Sequence, residues 1–238
     1  MRRYLYFLSV VLFLPAGAFA VAGSSAGSLT VTIPEVPQDS AGKQLLYNGK
    51  VWRNLYQHID GTQFLLSDDF LPGSVVMNGR KFNSPGIKLK LDLINDELLL
   101  LSDRGATLRL NNQMVEQFTL EYDNKLMQFI NLEADSLSEL TGYVNVIHNG
   151  KTALYVKYKK EIRLRDAPGD KDTFTQSHKI YLMKEGKTFQ VNNRKILIRL
   201  LDDHKEQVRD FIRTNRIRIS RNRPESFAPV LAYYDNLK

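Results

Sequence analysis

Between residues 45 and 191, apolar side chains return at every second position, in short runs separated by turn residues. QFLLS, GSVVMNG, IKLKLDLI, ELLLLS, ATLRL, EQFTLEY, LMQFINL, GYVNVIH, TALYVKYKKEIRL, KIYLMK and KTFQV all follow this pattern. A strand sends successive side chains to opposite faces, so the period predicts strands with one buried face. Asn78-Gly79, Asn95-Asp96, Asp103-Arg104-Gly105, Asp123-Asn124, Asn149-Gly150 and Glu185-Gly186 punctuate the runs. Asn and Gly tolerate the left-handed backbone of tight hairpins, so many strands should pair antiparallel with their neighbours. The expectation is an α+β fold whose main part is an antiparallel β meander, rolled into a barrel-like sheet or a sandwich. The recurring NGK, NGR and EGK fragments fall at irregular intervals and read as turns.

VWRNLYQHI fits either element: Val51, Trp52, Leu55, Tyr56 and Ile59 share a helical face, yet alternate residues also suit a strand. Near Asn192 the period changes. Ile196, Leu197, Leu200 and Leu201 line one face of a short helix that Asn192 or Asn193 caps. Asp202 or Asp203 starts a second helix with Val208, Phe211 and Ile212 inward, and Pro224 opens a third with Phe227, Val230, Leu231 and Tyr234. Residues 192–238 are therefore a small helical unit docked on the sheet of residues 45–191.

The first twenty residues, MRRYLYFLSVVLFLPAGAFA, carry a cationic start, a short apolar run and small residues at Ala18 and Ala20. They read as an export signal cleaved after Ala20, with Ala22 as the alternative. Residues 21–44, rich in Gly, Ser, Ala and Pro, read as a flexible leader. Within it, GSSAG matches the serine-hydrolase elbow around Ser25 in letters only, since no strand and helix flank it. No later apolar run is long enough to span a bilayer, which predicts a periplasmic or envelope protein, soluble or peripheral.

The chain has no cysteine, which removes disulfides, thiolate metal sites and cysteine nucleophiles. Its formal charge is +7, and loss of Arg2 and Arg3 with the signal lowers it by two. That charge favours attraction to anionic surfaces. Two clusters carry it. In the run from Val146 to Asp166, the odd positions Tyr155, Lys157, Lys159, Glu161, Arg163 and Arg165 face one way and the even positions Leu154, Val156, Tyr158, Ile162 and Leu164 the other. Lys160 breaks the alternation and marks a bulge or an edge. In residues 209–223, Arg209, Arg213 and Arg216 share a helical stripe near Glu206 and Asp210. Each cluster reads either as a solvated face or as a strip that contacts an anionic glycan or lipid surface. Export makes nucleic acid an unsuitable partner.

Signs of chemistry are sparse. The four histidines, His58, His148, His178 and His204, form no zinc-protease pattern. Asp202–Glu206 gathers acids around His204, but at a helix start where acids favourably meet the dipole. Asp170 and Asp172 lack calcium-loop spacing. Trp52, near Tyr47 and Tyr56, suits either a core position or stacking on a sugar ring. No cofactor and no catalytic residue are assigned.

The stretches LLYNGKVWRNLYQHIDGTQFLLSDDFLPGSVVMNGRKF, LDLINDELLLL, GYVNVIHNGKTALYVKYKKEI and KILIRLLDDHKEQVRDFIRTNRIRIS, with LAYYDN, resemble a family of exported Bacteroidota proteins without an assigned activity. The resemblance covers nearly the whole mature chain and implies a Gram-negative envelope location. It brings no catalytic residue with it. The expected role is a noncatalytic binding or structural module for another envelope protein or an anionic polymer. A carrier that encloses a lipid or other apolar ligand in the rolled sheet is the alternative. A hydrolase comes third, and needs two acids, or an acid and a histidine, converging in a cleft.

Overall fold

The computed structural model describes residues 44–132, 140–165 and 171–237, apart from the side chains of residues 84 and 85. The signal, most of the leader, Ser25 and Asp170 lie outside these residues. The sequence's alternating runs become β1 (Lys50–Val51), β2 (Leu71–Met77), β3 (Arg80–Asp92), β4 (Glu97–Leu101), β5 (Thr107–Arg109) and β6 (Val115–Tyr122). They continue as β7 (Lys125–Leu132), β8 (Gly142–Asn149), β9 (Ala153–Arg163), β10 (Thr173–Lys184) and β11 (Lys187–Gln190). All pairings between these strands are antiparallel, in the order β1-β5-β4-β3-β2-β6-β7-β8-β9-β10-β11. The sheet rolls but does not close: β1 and β11 remain its edges.

Hairpin chemistry explains most of the meander. Asn78-Gly79, Asp123-Asn124 and Glu185-Gly186 each place both residues at positive φ, the backbone that matches strand twist. Asn149-Gly150 does not. Neither residue is left-handed, and Gly150 is needed instead because a Cβ there would run into the Asp235 carboxylate. A second close approach sits at Gly73, where the β2–β3 register shifts and a Cβ would strike the Thr119 carbonyl oxygen of β6.

One face of the sheet carries two continuous apolar clusters. Met77, Leu89, Leu98, Leu100, Phe118 and Phe129 lead the first, each no more than 1% exposed. Phe118 stacks on Phe129 at 4.8 Å and meets Tyr143 edge-on at 5.1 Å. In the second cluster, Leu154, Val156, Ile180 and Leu182 of β9 and β10 pack against three helices, α1 (Arg194–Leu200), α2 (Lys205–Thr214) and α3 (Ala228–Leu237). Asn193 caps α1 by accepting from the Ile196 amide at 2.9 Å. Pro224 opens a 3-10 turn that leads into α3, and Phe227, Val230, Leu231 and Tyr234 are fully buried. Phe211 faces Tyr233 in a stack at 4.1 Å rather than entering the core fully.

Three expectations need correction. VWRNLYQHI is neither helix nor strand beyond Val51. Asn54 takes the Tyr56 amide and Tyr56 the Ile59 amide, so local turns consume its hydrogen bonds. QFLLS is no strand: Phe64 makes only an isolated bridge to Asp92, flanked by bonds from Leu65 to Leu91 and from Leu93 to Gln63. Parity holds along β9, but it misjudges exposure at the start of the strand and just past its end. Tyr155 is 7% exposed, buried with Val144 and Tyr181 on the opposite face, whereas Leu164 is 70% exposed. Lys160 marks no bulge, since its register with β10 is regular, but it does stand at a local edge, because β9 has no β8 partner beyond Val156.

Lys160 shows how the sheet rolls. β8 pairs with β9 only as far as Val156, which leaves one side of β9 open beyond it. The end of β3 arrives there, and the Lys160 amide donates to the Leu93 carbonyl at 3.4 Å. The Lys160 ammonium donates to the carbonyl oxygens of Thr62 and Phe64, at 2.6 and 2.5 Å, and the residue is 7% exposed. Burial pushes its pKa down, while the charges of Asp68 and Asp92 oppose the shift.

Candidate functional site

The cationic strip read from β9 is less available than its sequence suggests. Lys157 leaves it: its ammonium lies 2.7 Å from Asp96 and 3.1 Å from the Tyr143 carbonyl, closing the β3–β4 turn onto β8. Lys159 pairs with Glu161 on the surface at 2.8 Å. Arg163 and Arg165 are exposed, and the Arg165 amide donates to Asp172. On α2, Arg209 pairs with Glu206 and Arg213 with Asp210, both at 2.8 Å. Arg216 follows the helix end at a φ of 51° and is exposed.

A denser cationic site lies beside the second cluster, between α1 and α2. An open groove of about 890 Å³ is walled by Arg194, Lys195, Arg199, Lys205 and Arg209, with Asp202 as its one carboxylate. Ile196 and Ile198 line its floor. Among the described residues, Arg194, Lys195, Arg199 and Lys205 have no ion-pair partner. Two of them, Arg194 and Lys195, occupy the first turn of α1, which holds no acid. Cations are disfavoured there because the helix start already carries partial positive charge. Of these five cations only Arg209 was singled out from the sequence. The helix expected after Asn193 already sets Lys195 and Arg199 one turn apart, but no local pattern in the sequence brings Lys205 and Arg209 of α2 alongside them.

Two polar clusters hold α3 in place. Asp203 accepts from the Tyr234 hydroxyl at 2.7 Å and from the Lys184 ammonium at 2.9 Å. Burial alone would raise the Asp203 pKa, but these two donors overcome it and hold the carboxyl well below its usual range. Beside His204, Asp203 is thus engaged by a tyrosine and a lysine and Glu206 by Arg209, and the described residues contain no metal-ligating cluster. The next residue of α3 after Tyr234, Asp235, faces His148 Nε2 at 2.8 Å and accepts from the Thr152 amide and hydroxyl at 3.1 and 2.9 Å. This does bring an acid to a histidine. Thr152, however, is 1% exposed and donates its proton to Asp235 rather than to the imidazole, so the trio lacks the nucleophile–base contact that covalent catalysis needs.

Trp52 sits at the β1 edge of the sheet, where its amide donates to the Thr107 carbonyl at 2.9 Å. Its ring is half-buried, tilted against Phe64 at 5.8 Å, and lines a groove separate from the α1–α2 cations.

No family model, curated protein or solved structure matches the chain. Among the described residues, no helix is long and apolar enough to cross a membrane.

Proposed function

We propose that this protein is an exported, noncatalytic module of the cell envelope that binds a polyanion in the α1–α2 groove, either a free acidic polymer or the acidic face of an envelope partner. One observation carries this reading: four cations with no ion-pair partner among the described residues converge over an apolar floor, two of them where the helix dipole disfavours them. A fold selected for stability alone would place acids in that first turn. The carrier alternative needs an unfilled apolar hollow, whereas Phe118, Phe129, Met77 and Tyr143 occupy the space inside the roll.

Binding to a uronic-acid or sulfated polysaccharide tests the proposal. Retention should weaken as salt rises, because the screening length falls to about 3 Å at 1 M. The triple reversal R194E/K195E/R199E should abolish retention while leaving the thermal midpoint nearly unchanged. Salt-insensitive retention, or full retention by the reversed protein, sinks the idea. Export has its own check: the mature protein should begin at Val21 or, after the alternative cleavage, at Gly23.

A further inference from the structure

We propose that the groove at the β1–β5 edge is a second binding site, for an oligosaccharide carrying acidic sugar units. Two hollows of about 310 and 380 Å³ adjoin there, both lined by Lys50, Glu97 and Arg109, and the proposed site is the channel that takes in the pair. Each is within the range of small-ligand sites. The first is lined by Trp52 and Tyr56, with Val51 and Leu55 left 71% and 72% exposed beside them. Both rings are held in place before any ligand arrives. Trp52 leans on Phe64, and Tyr56 meets Phe174 edge-on at 6.1 Å while its amide is fixed by Asn54.

Planar polar groups complete the walls. Arg109 pairs with Glu97 at 2.6 Å, and Gln63 and Asn95 both donate to Asp92, which fixes their orientation. A sugar ring has an apolar C–H face bordered by hydroxyls. It therefore suits aromatic rings beside side chains that donate and accept in one plane. Other occupants fit worse. An apolar ligand would strip water from the Arg109–Glu97 pair without replacing it. A peptide strand would find only the two residues of β1 as a template. Lys50, Arg53 and Arg109 outnumber Glu97 around the channel, which favours acidic units.

Trp52 is the only tryptophan in the chain, so its fluorescence reports this site alone. The full mature chain is titrated with a tetra-uronate and, separately, with a neutral glucan tetramer. A saturable change in emission is expected with the tetra-uronate. The dissociation constant should rise about tenfold or more in Tyr56→Ala and in the surface variant Leu55→Ser. R194E/K195E/R199E should leave this titration unchanged, which separates the channel from the α1–α2 groove. Leu55→Ser changes an exposed side chain, so its result stands even if Tyr56→Ala unfolds. Any of four results overturns the proposal: no emission change at millimolar sugar, a response to the neutral tetramer alone, affinity unaffected by Leu55→Ser, or loss of the response in the charge-reversed protein.

Discussion

Lys160 is the residue on which the roll of the sheet turns. Its ammonium satisfies two backbone carbonyls of the 62–64 segment, and its amide meets the end of β3. Lys160→Ala removes both side-chain bonds and leaves the carbonyls of Thr62 and Phe64 without this donor. Each such loss costs about 1–3 kcal/mol, so the urea midpoint should fall clearly. A midpoint unchanged within error would mean that water replaces the ammonium. At Gly73 the constraint is steric: an alanine Cβ has no room beside the Thr119 carbonyl, and the β2–β6 pairing would have to open. The sequence marked Lys160 as an exception to the alternation, but its partners lie almost a hundred residues away. No local pattern identifies them.

Among the elements, α3 depends on its two polar anchors as well as its apolar stripe. Asp203 binds Tyr234, and the next residue of α3, Asp235, binds the β8–β9 turn. The folded-state pKa of Asp203 is depressed, so its contribution to stability is complete above the ordinary carboxyl pKa of about 4. That contribution fades as pH falls through the lower folded value. Asp203→Asn should therefore cost about 1–2 kcal/mol at neutral pH, and the gap from the parent protein should narrow as pH falls below 4. Denaturant midpoints across that range provide the check; a gap independent of pH refutes the assignment. At the alkaline end, burial and the nearby Glu225 push Tyr158 up to about 12. An unfolded tyrosine ionises near pH 10, so stability should decline between about 10 and 12.

For the whole molecule, the decisive term is the apolar face that runs across the sheet from β4 to β10. Phe118, 1% exposed and stacked on Phe129, sits in the first of its two clusters. Phe118→Ala should cost about 3–5 kcal/mol, which is a large share of a domain's typical stability. Thermal unfolding of the two proteins measures it. A loss below about 1 kcal/mol would show that the roll collapses around the gap. Helices and sheet share the second cluster, so truncation at Asn192 should expose Leu154, Val156, Ile180 and Leu182 and yield an insoluble chain rather than a stable β domain.

What the sequence determined by itself was the set of local outcomes: strand positions, most hairpin turns, the Asn193 cap and the inward stripe of α3. Alternation, turn conformation and capping are settled within a few residues, so a short window contains their cause. Only the tertiary structure decided that β6 returns to pair with β2, that the roll stops short of closure, and that Lys157 and Lys160 turn inward to Asp96 and to backbone carbonyls. It also decided that the cations of α1 converge with those of α2 on one groove. Those outcomes depend on which distant surfaces become buried together, and that choice is made by the whole core at once rather than by any stretch within it.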